Sequence, residues 1–101
     1  MLFRSASAQL ENPACGDVLR LTLRMEGGRI EEIRFLAQGC VASIACASAL
    51  TDLVCQKSLA AARRLQREEI VRAVGGLPQE STHASHLVMD TLHALLQQLP
   101  D

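Results

Sequence analysis

The stretch VLRLTLRMEGGRIEEIRFLA, residues 18–37, decides the fold. Leu19, Leu21, Leu23 and Met25 alternate with Arg20, Thr22 and Arg24, the period-two pattern of a strand with one buried face. Gly27-Gly28 marks a tight turn, and Ile30 to Ala37 is the returning strand, with Ile33, Phe35 and Ala37 inward. An antiparallel hairpin follows. Upstream, residues 1–14 show little periodicity and leave room for a short edge strand before Asn12-Pro13.

Downstream the period changes. Gly39-Cys40 ends the sheet, and the run from Val41 to Val54, rich in alanine and other small residues, is expected to form a buried helix. Ser58 is placed to cap a second helix that starts at Leu59. Residues 67–74 suit a third, stopped by Gly75-Gly76 and Pro78. A final helix is expected from Thr82 or His83 to about Leu99. Its apolar face is Val88, Leu92, Leu95, Leu96 and Leu99, at spacings i, i+4, i+7, i+8 and i+11. Strands followed by helices give an α+β fold, a small antiparallel sheet packed against C-terminal helices. The length of 101 residues allows one domain, 1–101.

Composition narrows the function. Hydrophobic residues are 49% and charged residues 21% of the chain, as in ordinary globular proteins. The formal net charge is −1, and Phe3 and Phe35 are the only aromatics. Nucleic-acid binding would call for a basic surface and stacking platforms, so it is not expected. The longest uncharged run, Phe35 to Thr51, is too short and polar to span a membrane. The start, MLFRSASAQ, lacks the apolar core of a signal peptide. A cytoplasmic protein with reduced thiols is the expectation.

There are four cysteines, Cys15, Cys40, Cys46 and Cys55, and no pair has CxxC spacing. Cys15-Gly16-Asp17 sits at the start of the first hairpin strand and Gly39-Cys40 at the end of the second. In an antiparallel hairpin these ends are neighbours. Cys15, Asp17 and Cys40 should therefore converge at one end of the sheet. Cys40 also precedes a helix, where the dipole favours thiolate. Two thiolates and a carboxylate make a soft metal site short of one ligand. The alternative for both thiols is burial as small hydrophobes.

Glu11-Asn12-Pro13-Ala14-Cys15-Gly16-Asp17 resembles the first cysteine motif of the U-type iron–sulfur cluster scaffolds, the NifU/IscU/SufU family. Gly39-Cys40-Val41-Ala42-Ser43-Ile44-Ala45 resembles the second. Leu77-Pro78 followed by His83-Ala84-Ser85-His86-Leu87 resembles the third. The likeness covers nearly the whole chain from about residue 11. It implies a SufE/NifU-like fold and a scaffold, not an enzyme. Such proteins take sulfur from a cysteine desulfurase, assemble a [2Fe-2S] cluster from iron and sulfide, and pass it to recipient proteins. Some members bind zinc at the same site. The implied ligands are Cys15, Asp17 and Cys40, with a fourth from the third motif.

The family's third cysteine falls at position 84, where this chain has Ala84. His83 is the leading replacement, since imidazole with two thiolates and a carboxylate suits tetrahedral zinc, and histidine also ligates one iron of some two-iron clusters. His86, Asp90 and His93 lie on one helical stripe, which the helix wheel turns to solvent. Cys46 is six residues beyond Cys40, about 9 Å of helix rise, and is expected to be a buried structural thiol, as is Cys55. Two other functions fit the residues. One is a degenerate family member that binds a desulfurase or regulates without assembling clusters. The other is thiol chemistry, with Cys40 as nucleophile and His83 as its base.

Overall fold

The computed structural model describes residues 3–12 and 16–99. Three strands, β1 (Phe3–Asn12), β2 (Asp17–Glu26) and β3 (Arg29–Gln38), are followed by α1 (Val41–Val54), α2 (Leu59–Arg63) and α3 (Arg67–Ala73). A 3-10 turn (Gln79–Ser81) then leads into α4 (Thr82–Leu96). The sheet is antiparallel, in the order β1-β2-β3.

The alternation of β2 sets the layers. Leu19, Leu21, Leu23 and Met25 are buried, while Arg20, Thr22 and Arg24 lie on the exposed face. In register, Leu19 faces Leu10 and Ala37, Leu21 faces Ala8 and Phe35, and Leu23 faces Ala6 and Ile33. Near the turn the register slips: Arg24 pairs with Glu32 but Met25 with Ile30, so Glu31 is an extra residue on β3. Strict alternation would set Ile30 and Ile33 on opposite faces. The bulge lets both point into the core. It is stitched down by the connection after α1, where Gln56, at φ +67°, donates its N–H to Ile30 O and its Nε2 to Glu31 O.

Strand β1 is longer than expected, ten residues paired one-to-one with β2. Its inward residues are Ala6, Ala8 and Leu10, packed partly buried against the core. Two of the three are alanines, so the alternation that places them carries little hydrophobic contrast.

The helices cover one face of the sheet. α1 contributes Cys46, Ala47, Leu50 and Val54, and α4 contributes Leu87, Val88, Leu92, Leu95 and Leu96. Ser58 caps α2 as expected, its hydroxyl accepting from Ala61 N. At the start of α3, Gln66 N donates to Glu69 Oε2 at 2.7 Å. α4 ends at Leu96 rather than Leu99, because Gln98 and Leu99 donate to carbonyls only three residues back. The tightened end is held from α2: Arg63 donates to Leu99 O at 2.8 Å. Leu99 is still buried, so the apolar face runs on past the helix. Gln98 Nε2 donates to Ser7 O at 2.7 Å, fastening the end of α4 to β1. Among the described residues no helix is long and apolar enough to cross a membrane.

Candidate metal centre

Three elements meet at one end of the sheet. Asp17 is the first residue of β2, Cys40 caps the N-terminus of α1, and His83 lies in the first turn of α4. The hairpin brings the first two together, since Val18 pairs with Gln38. The chain from Gln38 to Cys40 then turns tightly over the Asp17 side chain. Gly39 makes this possible in two ways. Its φ is +130°, and a Cβ there would fall on Asp17 Oδ1 and 2.8 Å from Cγ.

Asp17 is only 1% exposed, so its carboxylate must be satisfied internally. Cys40 N–H donates to Oδ1 at 3.0 Å. Oδ2 accepts from the Ser43 hydroxyl at 3.0 Å and lies 3.0 Å from His83 Nε2. Cys40 Sγ stands 3.4 Å from Ser43 Oγ, 3.7 Å from His83 Nε2 and 3.8 Å from Asp17 Oδ2. One ligand atom from each of Asp17, Cys40 and His83 lies within 4.8 Å of the others, close enough to hold a metal ion. The His83 side chain keeps 25% of its surface exposed, so the cluster opens to solvent on that side.

These contacts favour the charged forms of the two acids. Burial alone would push the Asp17 carboxyl up, but the Cys40 N–H, the Ser43 hydroxyl and His83 outweigh it and hold it below its usual 3.8. The hydrogen bond from Ser43 is the strongest influence on Cys40 and, with the Ser43 N–H and His83, lowers that thiol against burial and the Asp17 charge. A carboxylate, a thiol disposed to ionise and an imidazole are the donor set of zinc and iron sites.

The structure thus brings together three of the four residues singled out in the sequence. The fourth, Cys15, lies outside the described residues. Around it, Asn12 pairs with Asp17, and Gly16 N, at φ +70°, donates to Asn12 O. Cys46 is fully buried, and burial pushes its thiol up, with the Cys40 charge adding to this. Cys55 is half-buried near the far end of α1. Cys40, Cys46 and Cys55 are all free thiols. His86, Asp90 and His93 are exposed, as the wheel predicts. Ala84 is fully buried, pointing into the core. Sequence reasoning missed Ser43. A serine in the first helical turn reads as an ordinary polar residue, and only its i+3 spacing from Cys40 hinted that it faces the thiol.

Sequence comparison places these motifs. The family described as NifU-like N terminal domain matches residues 3–100. An iron-sulfur cluster assembly scaffold protein IscU of Archaeoglobus fulgidus is 37% identical over 81 residues, covering 80% of this chain and 53% of that protein. The nitrogen fixation protein NifU of Cereibacter sphaeroides is 60% identical over 63 residues, covering 62% of this chain and 26% of that one. The chain therefore spans about half the length of the first of these relatives and about a quarter of the second. The crystal structure of the N-terminal part of a NifU-like protein from Brucella abortus superposes with a TM-score of 0.70, covering 93% of this chain and 78% of that one. At 17% identity it supports the fold alone. With residues 3–100 of its 101 matched, the chain belongs to the NifU-like N terminal domain family.

Proposed function

We propose that this protein is an iron–sulfur cluster scaffold that holds iron or a [2Fe-2S] cluster as cargo at Asp17, Cys40 and His83, with Cys15 as the fourth ligand. The observation that carries the proposal is the ready-made cluster of three donor atoms within 4.8 Å, on a carboxylate already taken out of water. Cys15 precedes Asp17 by two residues, and its thiol would complete a set of two sulfurs, one oxygen and one nitrogen. Histidine on one iron and thiolate on the other is an accepted division of ligands. The same set would take zinc in tetrahedral geometry.

The chain's own residues set the terms of loading. His83 Nε2 sits on Asp17 Oδ2, so an incoming ion must part the two and take the place of the shared proton. Cys40 must give up its proton, which its neighbours favour. The protein acts as a carrier and not as an enzyme. A cysteine desulfurase in the cytoplasm supplies sulfur, and apo-proteins receive the cluster. Beside Cys40, Val41 and Ile44 are 81% and 41% exposed, an apolar surface suited to such partners.

Metal analysis of the protein as isolated, followed by anaerobic reconstitution with iron and sulfide, tests this. A visible charge-transfer spectrum that Cys40→Ala abolishes is expected. A colourless product that also holds no zinc would overturn the proposal. Ala84 favours a second function, a degenerate scaffold that binds a desulfurase without building clusters. Retention on an immobilised desulfurase together with failed reconstitution would select it.

A further inference from the structure

Ser43 touches two of the candidate ligands, Asp17 and Cys40, yet it has no place in the donor set. Ser43 is 2% exposed, and among the described residues its hydroxyl meets Asp17 and Cys40 beside the site. Alanine, the best helix former, would serve α1 equally well at that position, as it does at Ala42, Ala45, Ala47 and Ala49. The hydroxyl is therefore retained for what it bonds.

The two oxygens of Asp17 are not equivalent. Oδ1 is taken by Cys40 N–H and walled in by Gly39. Oδ2 carries Ser43 and His83. When His83 turns from Asp17 to an ion, Ser43 is the remaining donor that fixes Oδ2. The hydroxyl has one proton to offer, to Asp17 Oδ2 at 3.0 Å and to Cys40 Sγ at 3.4 Å. Once Cys40 is deprotonated both neighbours only accept, and the single hydroxyl proton lies between the sulfur and the carboxylate.

Resting on the metal-holding role proposed above, we propose that Ser43 is a positioning residue for the metal site: its hydroxyl locks Asp17 so that Oδ2 alone is offered to the ion, and aligns Cys40 Sγ beside it. Outer partners of this kind orient ligands and tune the bound metal. Nothing in the first coordination set requires a hydroxyl, so its effect is separable from that of the ligands.

The test is titration of the full chain with Co2+ under anaerobic conditions, read by the thiolate-to-cobalt and visible ligand-field bands. Ser43→Ala should weaken binding about 10- to 100-fold and shift both sets of bands, as loss of an outer-shell partner does. Ser43→Thr, which keeps the hydroxyl, should restore the wild-type spectrum. Thermal melts of the same samples confirm that each variant is folded. If threonine's extra methyl unfolds the chain, the alanine arm decides by itself. Wild-type affinity with an unaltered spectrum in Ser43→Ala overturns the role of Ser43 and leaves the metal site standing. A wild-type chain that binds neither Co2+ nor Fe2+ overturns both.

Discussion

Gly39→Ala should damage this protein more than any other single methyl group added to its surface. The residue is exposed, so simple burial arguments predict tolerance. Two costs arise together. Alanine at φ +130° is strained by about 1–3 kcal/mol. The new Cβ would also occupy the position of Asp17 Oδ1. Asp17 cannot yield cheaply, because it is buried and held by three groups, two at the start of α1 and one in α4. Displacing it forfeits the Cys40 N–H bond to a charged oxygen, worth about 1.5–3 kcal/mol. The sum is roughly 2.5–6 kcal/mol, against a total of about 5–15 kcal/mol for a typical domain. At about 4–8 °C per kcal/mol for a domain near this size, Tm should fall by at least about 10 °C. Thermal melts read that fall, and urea unfolding followed by circular dichroism gives the free energies of the wild type, Gly39→Ala, Asp17→Ala and the double variant. Once the carboxylate is gone the clash with it goes too, leaving the backbone strain and a close approach to the Cα of residue 17, so the substitutions should be coupled by about 1.5–3 kcal/mol. A cost below about 1 kcal/mol, or the same cost with and without Asp17, would refute the reasoning.

Iodoacetamide at mildly alkaline pH should label Cys40 well before Cys46, because the neighbours of Cys40 favour its thiolate while Cys46 is sealed in the core with its thiol pushed up; mass spectrometry of the digested protein reads the order, and equal rates would contradict the site as described. The Asp17 carboxyl is held below its usual 3.8 in the folded protein, so its contribution is fully present above about pH 4 and is lost as pH falls through the lower folded value. The urea midpoint should therefore drop with acidification below pH 4, and Asp17→Asn should flatten that part of the profile. Leu50→Ala, at a fully buried position of α1, should cost about 2–5 kcal/mol in the same urea assay.

The residues that were easiest to interpret in the sequence are those whose pattern is itself the physical cause. Leu19 to Met25 alternate because one face of β2 is buried, and Val88 to Leu99 recur at helical spacing because one face of α4 is. β1 was hard to see because alanine and serine differ little in hydrophobicity. The bulge at Glu31 was invisible because one extra residue leaves a pattern that still looks like a strand. At the site, hairpin geometry was enough to join Asp17 to Cys40. His83 comes from a distant helix and was found only through its motif. The burial of Asp17 has no local signal, since an aspartate at a strand start commonly faces solvent. It follows from donors supplied by Cys40, Ser43 and His83, all remote in sequence.

The way α4 closes the fold has a consequence for the order in which the chain becomes competent. Asp17 and Cys40 are 23 residues apart and can meet as soon as the hairpin has left the ribosome. His83 follows 43 residues after Cys40, on the helix whose far end is tied back to Ser7, 91 residues earlier than Gln98. The helix that delivers the imidazole also supplies much of the core, and it can dock only after the hairpin and α1 have been made. A nascent chain thus carries the sulfur and carboxylate of an incomplete site. The third donor arrives only with α4, so on the scaffold reading proposed above a metal ion would meet the full donor set only after that helix has docked.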